Sequence, residues 1–173
     1  MEKRSNFEGE PLVYPGRRRN GSVDWRRFPV TGISFEDARA YALWLSGTGR
    51  VPGARLCREE EWERAARGAD GRSFPSGASI AGDDANIDET YGRDPLAFGP
   101  DPVGAHSRSD SPVGAADMAG NAWEMTLSRA GTPAIRGGSW YQGALTARSV
   151  NREPYEPTAR DLLIGFRLCS TVQ

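Results

Sequence analysis

Apolar positions mark two helices in the first half of the chain and strands in the second. Phe35, Ala38, Tyr41, Ala42 and Leu45 return every three or four residues, which places them on one face of a helix over 35–46. Ser34 stands at the N-cap position, Glu36 and Asp37 fall in the positive first turn, and Gly47 ends the run. A second helix starts after "ARLC". Glu59, Glu60 and Glu61 complement its first turn, Arg64 and Arg67 its last, and Gly68 is its natural stop. Trp62, Ala65 and Ala66 face its core side. The acidic triplet is thus expected to be solvated surface charge, not a catalytic cluster. A short strand is expected over Phe28 to Ile33. "DMAGNAWEMT" reads as a turn into a strand, "AIRGGSW" as another strand and "IGFRLC" as the last.

Two stretches carry no period. Residues 69–116 are mostly Gly, Pro, Asp, Ser and Ala, an unusually long loop for a compact domain, so something must tether it, a metal being one candidate. The other stretch lies between Trp140 and Ile164, where aromatics, acids, aliphatics and glycines alternate without rule. It is flanked by glycine-rich strands, which is the arrangement of a rigid frame around an irregular insert.

Composition narrows the class. The 173 residues, 38% hydrophobic and 26% charged, suit one domain with a sizeable core. A net charge of −1 gives no field that favours nucleic acid or an anionic membrane. Lys3 is the only lysine among 22 basic residues, a skew that fits a GC-rich genome. "GRRRNG" at 16–21 belongs to a polar N-terminal arm, residues 1–27, ahead of a domain over 28–173. No apolar run is long enough to insert in a bilayer and no signal peptide is visible, so cytoplasm is the default location, with cell-surface or phage display open. Cys57 and Cys169 are read first as two small buried hydrophobes, with a disulfide as the alternative. With His106 as the one histidine, a zinc site is not expected.

The order "PVTGISFEDARAYALWL", "ARLCREEEWERAARG", "DMAGNAWEMT", "IRGGSW" and "GFRL" resembles the formylglycine-generating enzyme (sulfatase-modifying factor) family over about residues 28–168. The resemblance implies an α+β, C-type lectin-like fold, the formylglycine-generating-enzyme variant: two helices packed on short antiparallel sheets, rich in loops. Cys57-Arg58 stands where the family often has Pro-Thr, so the usual cap of the second helix is missing. The family's oxidising enzymes carry a cysteine pair for copper just beyond Gly-Gly-Ser. Here "GGSWYQGALTARS" has no thiolate for soft Cu(I), and the histidines of the family's iron branch are absent too. No redox metal is therefore expected. The resemblance also implies a calcium site in "DMAGNAWE", with the carboxylates of Asp117 and Glu124 and the carbonyls of Gly120 and Ala122. A weaker one is implied at Asn86, Ile87 and Asp94.

The stretch from Trp140 also resembles the variable region of the variable proteins of diversity-generating retroelements. That likeness implies a frame of "GGSW" (137–140), "ARS" (147–149), "NR" (151–152), Pro157, Arg160 and "IGFR" (164–167). The diversified positions of a variable region over 140–163 would be Tyr141, Gln142, Gly143, Leu145, Asn151, Glu153, Tyr155, Ala159, Asp161, Leu162 and Leu163. They would bind an unknown ligand, expected to be a protein, with Tyr141 and Tyr155 as anchors. Trp140 and Phe166 should pack inward, and Arg148, Arg160 and Arg167 should hold carbonyls or carboxylates. The alternatives are a family enzyme of unassigned or lost chemistry, and a structural domain of a larger protein.

Overall fold

A computed structural model describes residues 24–94 and 97–171, together with two short strands near the start, β1 (Lys3–Arg4) and β2 (Pro11–Leu12), which pair antiparallel. Residues 1–2, 5–10, 13–23, 95–96 and 172–173 lie outside the described ones. Helix α1 spans Phe35–Gly47. Ser34 caps it: its hydroxyl accepts from the Asp37 amide at 3.2 Å, and Asp37 accepts in return from the Ser34 amide at 2.9 Å. Phe35, Ala38 and Ala42 are buried as the period predicts, but Tyr41 is 46% exposed and Leu45 half-buried. The Tyr41 ring instead lies edge-on to Phe166, 5.8 Å away.

Helix α2 spans Glu59–Arg67, with Trp62 and Ala66 fully buried. No side chain caps its start, yet the Glu61 carboxylate accepts from the Arg58 amide at 2.9 Å, so half a capping box survives the loss of the Thr. Glu59 departs from its expected role. It is buried, because arginines from the last third of the chain reach it (below).

The main sheet has four strands: β4 (Trp123–Leu127), β5 (Pro133–Arg136), β6 (Glu153–Pro154) and β7 (Ile164–Phe166), in the order β6-β5-β4-β7. β4 and β5 pair antiparallel, as do β5 and β6, but β7 lies parallel to β4. The expectation of purely antiparallel sheets is corrected there. The whole insert runs between β5 and β7, so the chain has the length to cross over and return in the same direction. β3 (Arg55–Leu56) and β8 (Leu168–Cys169) form a separate antiparallel pair. No strand forms over 28–33. Gly32 N–H instead donates to the Asp161 carbonyl, so the segment is fixed to the insert by single bonds. Phe35, Ala38, Leu56, Trp123, Met125, Ile135 and Ile164 build the core between α1 and the sheet.

Cys57 and Cys169 form a disulfide across β3 and β8, which decides between the two readings of the cysteines. It joins residues 112 positions apart and so removes much freedom from the unfolded chain. It also sits beside the cluster of Trp62, Ala66 and Met118, closing the C-terminal strand onto the second helix. Reduction should therefore lower the unfolding free energy by roughly 3–5 kcal/mol. Chemical denaturation with and without dithiothreitol measures this, and Cys57→Ala/Cys169→Ala should unfold like the reduced protein.

Candidate functional site

The long loop is tethered by side-chain amides, not by helices or strands. Asn86 is fully buried and donates to the Gly99 carbonyl at 3.0 Å and to Asn121 Oδ1 at 3.2 Å. Asn121 Oδ1 also accepts from the Asp101 amide at 2.8 Å, and its Nδ2 donates to the Asp101 carbonyl at 3.2 Å. Asn121 adopts φ 65°, a region that asparagine tolerates better than most residues. Its carbonyl then accepts from the Trp140 amide, so one turn holds both the long loop and the start of the insert. Asp101, buried at 2% exposure, accepts from Tyr91 at 2.7 Å and contacts His106 Nε2 at 2.8 Å.

The insert is held by arginines that reach carboxylates of the helices and the sheet. Arg152 meets Glu59 at 2.7 Å, and buried Arg136 approaches both Glu59 and Glu63, with its guanidinium 5.9 Å from the Trp62 ring. Arg160 meets Asp37 at 2.5 Å. Arg167 forms two bonds to Glu124, at 2.6 and 2.8 Å, and donates to the Ala116 carbonyl. Glu124 also accepts from Trp62 Nε1 at 2.6 Å. Burial would lower the Arg167 guanidinium, but the Glu124 and Asp117 carboxylates hold it above its ordinary value. Arg148, expected to act likewise, is exposed and makes no such pair among the described residues.

Frame and insert differ in burial. Gly137, Gly138, Ser139, Ala147, Ser149, Ile164 and Gly165 are buried. Gly138 sits at φ 74°, and a Cβ there would come within 2.9 Å of the Ala147 nitrogen; a Cβ on Gly165 would lie 2.5 Å from the Val30 carbonyl. Of the candidate ligand-facing residues, Tyr141, Leu145, Glu153 and Asp161 are exposed. Leu145 is 77% and Tyr141 57% exposed. Gln142, Gly143, Asn151, Ala159, Leu162 and Leu163 are half-buried. Gln142 accepts from Trp123 Nε1 at 3.2 Å and from Ser139, and Leu163 packs on the core.

Tyr155 is no free anchor. Its ring packs on the core, its hydroxyl donates to the Ala159 carbonyl at 2.8 Å, and burial pushes its pKa up to about 12. Trp140 is half-buried, and its ring joins Phe98 and Tyr141 in a three-ring cluster with centroids 5.7–6.1 Å apart. Phe98 escapes sequence reasoning because the long loop carries no period. Arg152 and Glu59 escape it because charge alone does not show which pairs will be buried.

The carboxylates of the first candidate calcium set are engaged with protein groups. Both oxygens of Glu124 already serve Arg167 and Trp62, and a cation at 117–124 would have to displace a guanidinium. Asp117 accepts from the Gly104 amide at 2.8 Å, and burial raises its pKa. It lines a cavity of about 190 Å³ together with Asn121, Glu124 and Arg167. In the second set, Asn86 is bonded as above, Ile87 is a core residue and Asp94 is exposed. Among the described residues, no three His, Cys, Asp or Glu side chains gather to hold a metal ion.

Comparison with known proteins now places the chain. The profile of the sulfatase-modifying factor enzyme 1-like domain matches residues 12–172. The chain belongs to this family. The match begins before residue 28 and so takes in part of the arm. The inactive C-alpha-formylglycine-generating enzyme 2 of Bos taurus is 33% identical over 161 residues, 83% of this chain and 50% of the relative. Hercynine oxygenase of Mycolicibacterium smegmatis is 33% identical over 178 residues, 81% of this chain and 37% of the relative. The chain thus spans half or less of these relatives' length. Among solved structures, Treponema denticola variable protein 1 superposes with a TM-score of 0.71 at 20% identity, covering 95% of this chain and 76% of that one. CarF superposes at 0.72 with 22% identity, covering 88% and 70%. The fold is therefore the C-type lectin-like fold expected of the family.

The His106–Asp101 pair makes stability depend on pH. The hydrogen bond to Asp101 raises the His106 pKa in the folded state, against the opposing effect of burial. A raised folded pKa contributes stability that is fully present below the unfolded value, about 6.5, and is lost as pH rises through the folded value. The melting temperature should fall between neutral and mildly alkaline pH, and His106→Gln should flatten that slope. A slope unchanged in the variant would place the titration elsewhere.

Proposed function

We propose that this chain is a non-catalytic binding protein whose region 140–163 is diversified by a retroelement to meet varied targets, most of them proteins. The observation that carries this reading is the split in burial: Gly137, Gly138, Ser139, Ala147, Ser149, Ile164 and Gly165 of the frame are buried, while Tyr141, Leu145 and Glu153 are exposed. Recognition then resides in side chains whose exchange costs little stability, as in other loop-based binders. The fold shared with a variable protein and the kinship to an inactive formylglycine-generating enzyme 2 support the reading. The chemistry available within this chain supports it too: its cysteines are joined in a disulfide and its histidine is engaged with Asp101. Disulfides persist in oxidising compartments, which favours display outside the cytoplasm. Arg167 already supplies positive charge at 117–124, so target binding should not require calcium.

The second reading, an enzyme, is favoured by the kinship to hercynine oxygenase. The two separate on one gene-level measurement. Sequencing the 3′ end of the gene across many cells should give codons that vary at the exposed positions. A near copy of the segment, differing at adenines, should lie beside a reverse transcriptase gene. Uniform codons without such a copy, together with stoichiometric iron or copper in purified protein, would establish the enzyme instead.

A further inference from the structure

The exposed end of the insert abuts a wall supplied by the constant long loop. The Asp88 amide donates to the Gln142 carbonyl at 3.2 Å, and a Cβ on Gly143 would lie 3.4 Å from Asp88 Oδ1. Phe98, from the same loop, packs tilted against Trp140 and edge-on to Tyr141. The surface therefore couples an aromatic cluster, of which Tyr141 is exposed, to acidic side chains. Residues 83–94 carry Asp83, Asp84, Asp88, Glu89 and Asp94 against Arg93, with Arg108 paired to Asp84 from outside the segment. Arg93 contacts Asp88 and Glu89 at 3.3 Å each while 64% exposed, which makes both ion pairs weak and easily exchanged. Asp88 Oδ1 is out of contact with solvent and accepts no hydrogen bond, and Trp140 Nε1 is buried without a partner. Arg93 also holds φ 57°, an uncommon backbone region for its residue type.

We propose that this surface binds a basic segment of a protein partner, in which a lysine or arginine lies against Tyr141 and takes the place of Arg93 between Asp88 and Glu89. The inference rests on the binding-protein reading and adds the chemistry of the target. The carboxylates attract a cation through charge, and the exposed Tyr141 ring, held by Phe98 of the same loop, attracts it through its quadrupole. An acidic target would meet repulsion from the same wall. Because the acids and Phe98 lie outside region 140–163, the charge preference for a basic segment stays fixed while the insert, Tyr141 included, tunes the neighbours it accepts.

An array of short synthetic peptides of random sequence, probed with the intact chain, tests this. Bound peptides should be enriched in Lys or Arg next to an apolar residue, and binding should weaken with salt. For the best such peptide, Tyr141→Ala and Glu89→Gln should each reduce affinity about 5-fold or more, with melting temperatures unchanged. Arg93→Asn, a residue that tolerates positive φ, should raise affinity several-fold by removing the internal competitor, an effect no structural role produces. Enrichment of neutral or acidic peptides that still depend on Tyr141 would overturn the basic-partner proposal and leave the binding reading standing. Peptides bound without dependence on Tyr141, or none bound at all, would overturn both.

Discussion

The carboxylate of Glu124 is the point on which the rest of the structure depends. It sits on the central strand, accepts from Trp62 on the second helix and takes both bonds of Arg167 from the end of the insert. Three parts of the chain, separated by up to 105 positions, meet at two oxygens. Removing either charge would leave the other nearly buried and unpaired, a loss of roughly 3–5 kcal/mol. The disulfide acts a few residues further on, so the end of the chain is fixed twice.

The same device recurs along the insert. Arg152 reaches Glu59 at the start of α2, and Arg160 reaches Asp37 in the cap of α1. Each arginine belongs to the frame and each carboxylate to the body, so the insert is pinned at intervals. Planar guanidinium groups suit this work because they present several donors in a fixed fork. Between the pins the backbone is fixed by turns and buried serines, while the side chains of Leu145 and Glu153 are exposed and Tyr141, 57% exposed, touches only the rings of Phe98 and Trp140 among the aromatic residues described. Buried frame and exposed side chains thus alternate within one segment.

Much of this was legible in the sequence. The cap at Ser34, the apolar face of α2 and the glycines of the frame follow from local rules and stand as expected. Other features depend on distant partners that local patterns do not encode. Glu59 looks like solvated first-turn charge until Arg136 and Arg152 arrive from far along the chain. Tyr155 looks like a binding anchor until its ring meets the core. The strand expected over 28–33 fails because its neighbour is the irregular backbone at Asp161 and not another strand. The long loop needed tethers, and they proved to be Asn86 and Asn121, whose side chains bridge segments that no spacing rule connects.

The central claim is that, within residues 137–167, the buried frame and not the exposed positions sustains the fold. The most direct test is a saturation library over residues 137–167, sorted for protease-resistant folded protein and counted by position. Tyr141, Leu145 and Glu153 should accept nearly every amino acid, while Gly138, Ser149, Arg152, Gly165 and Arg167 should accept almost none. Equal tolerance at Arg152, Arg167 and Tyr141 would contradict the account.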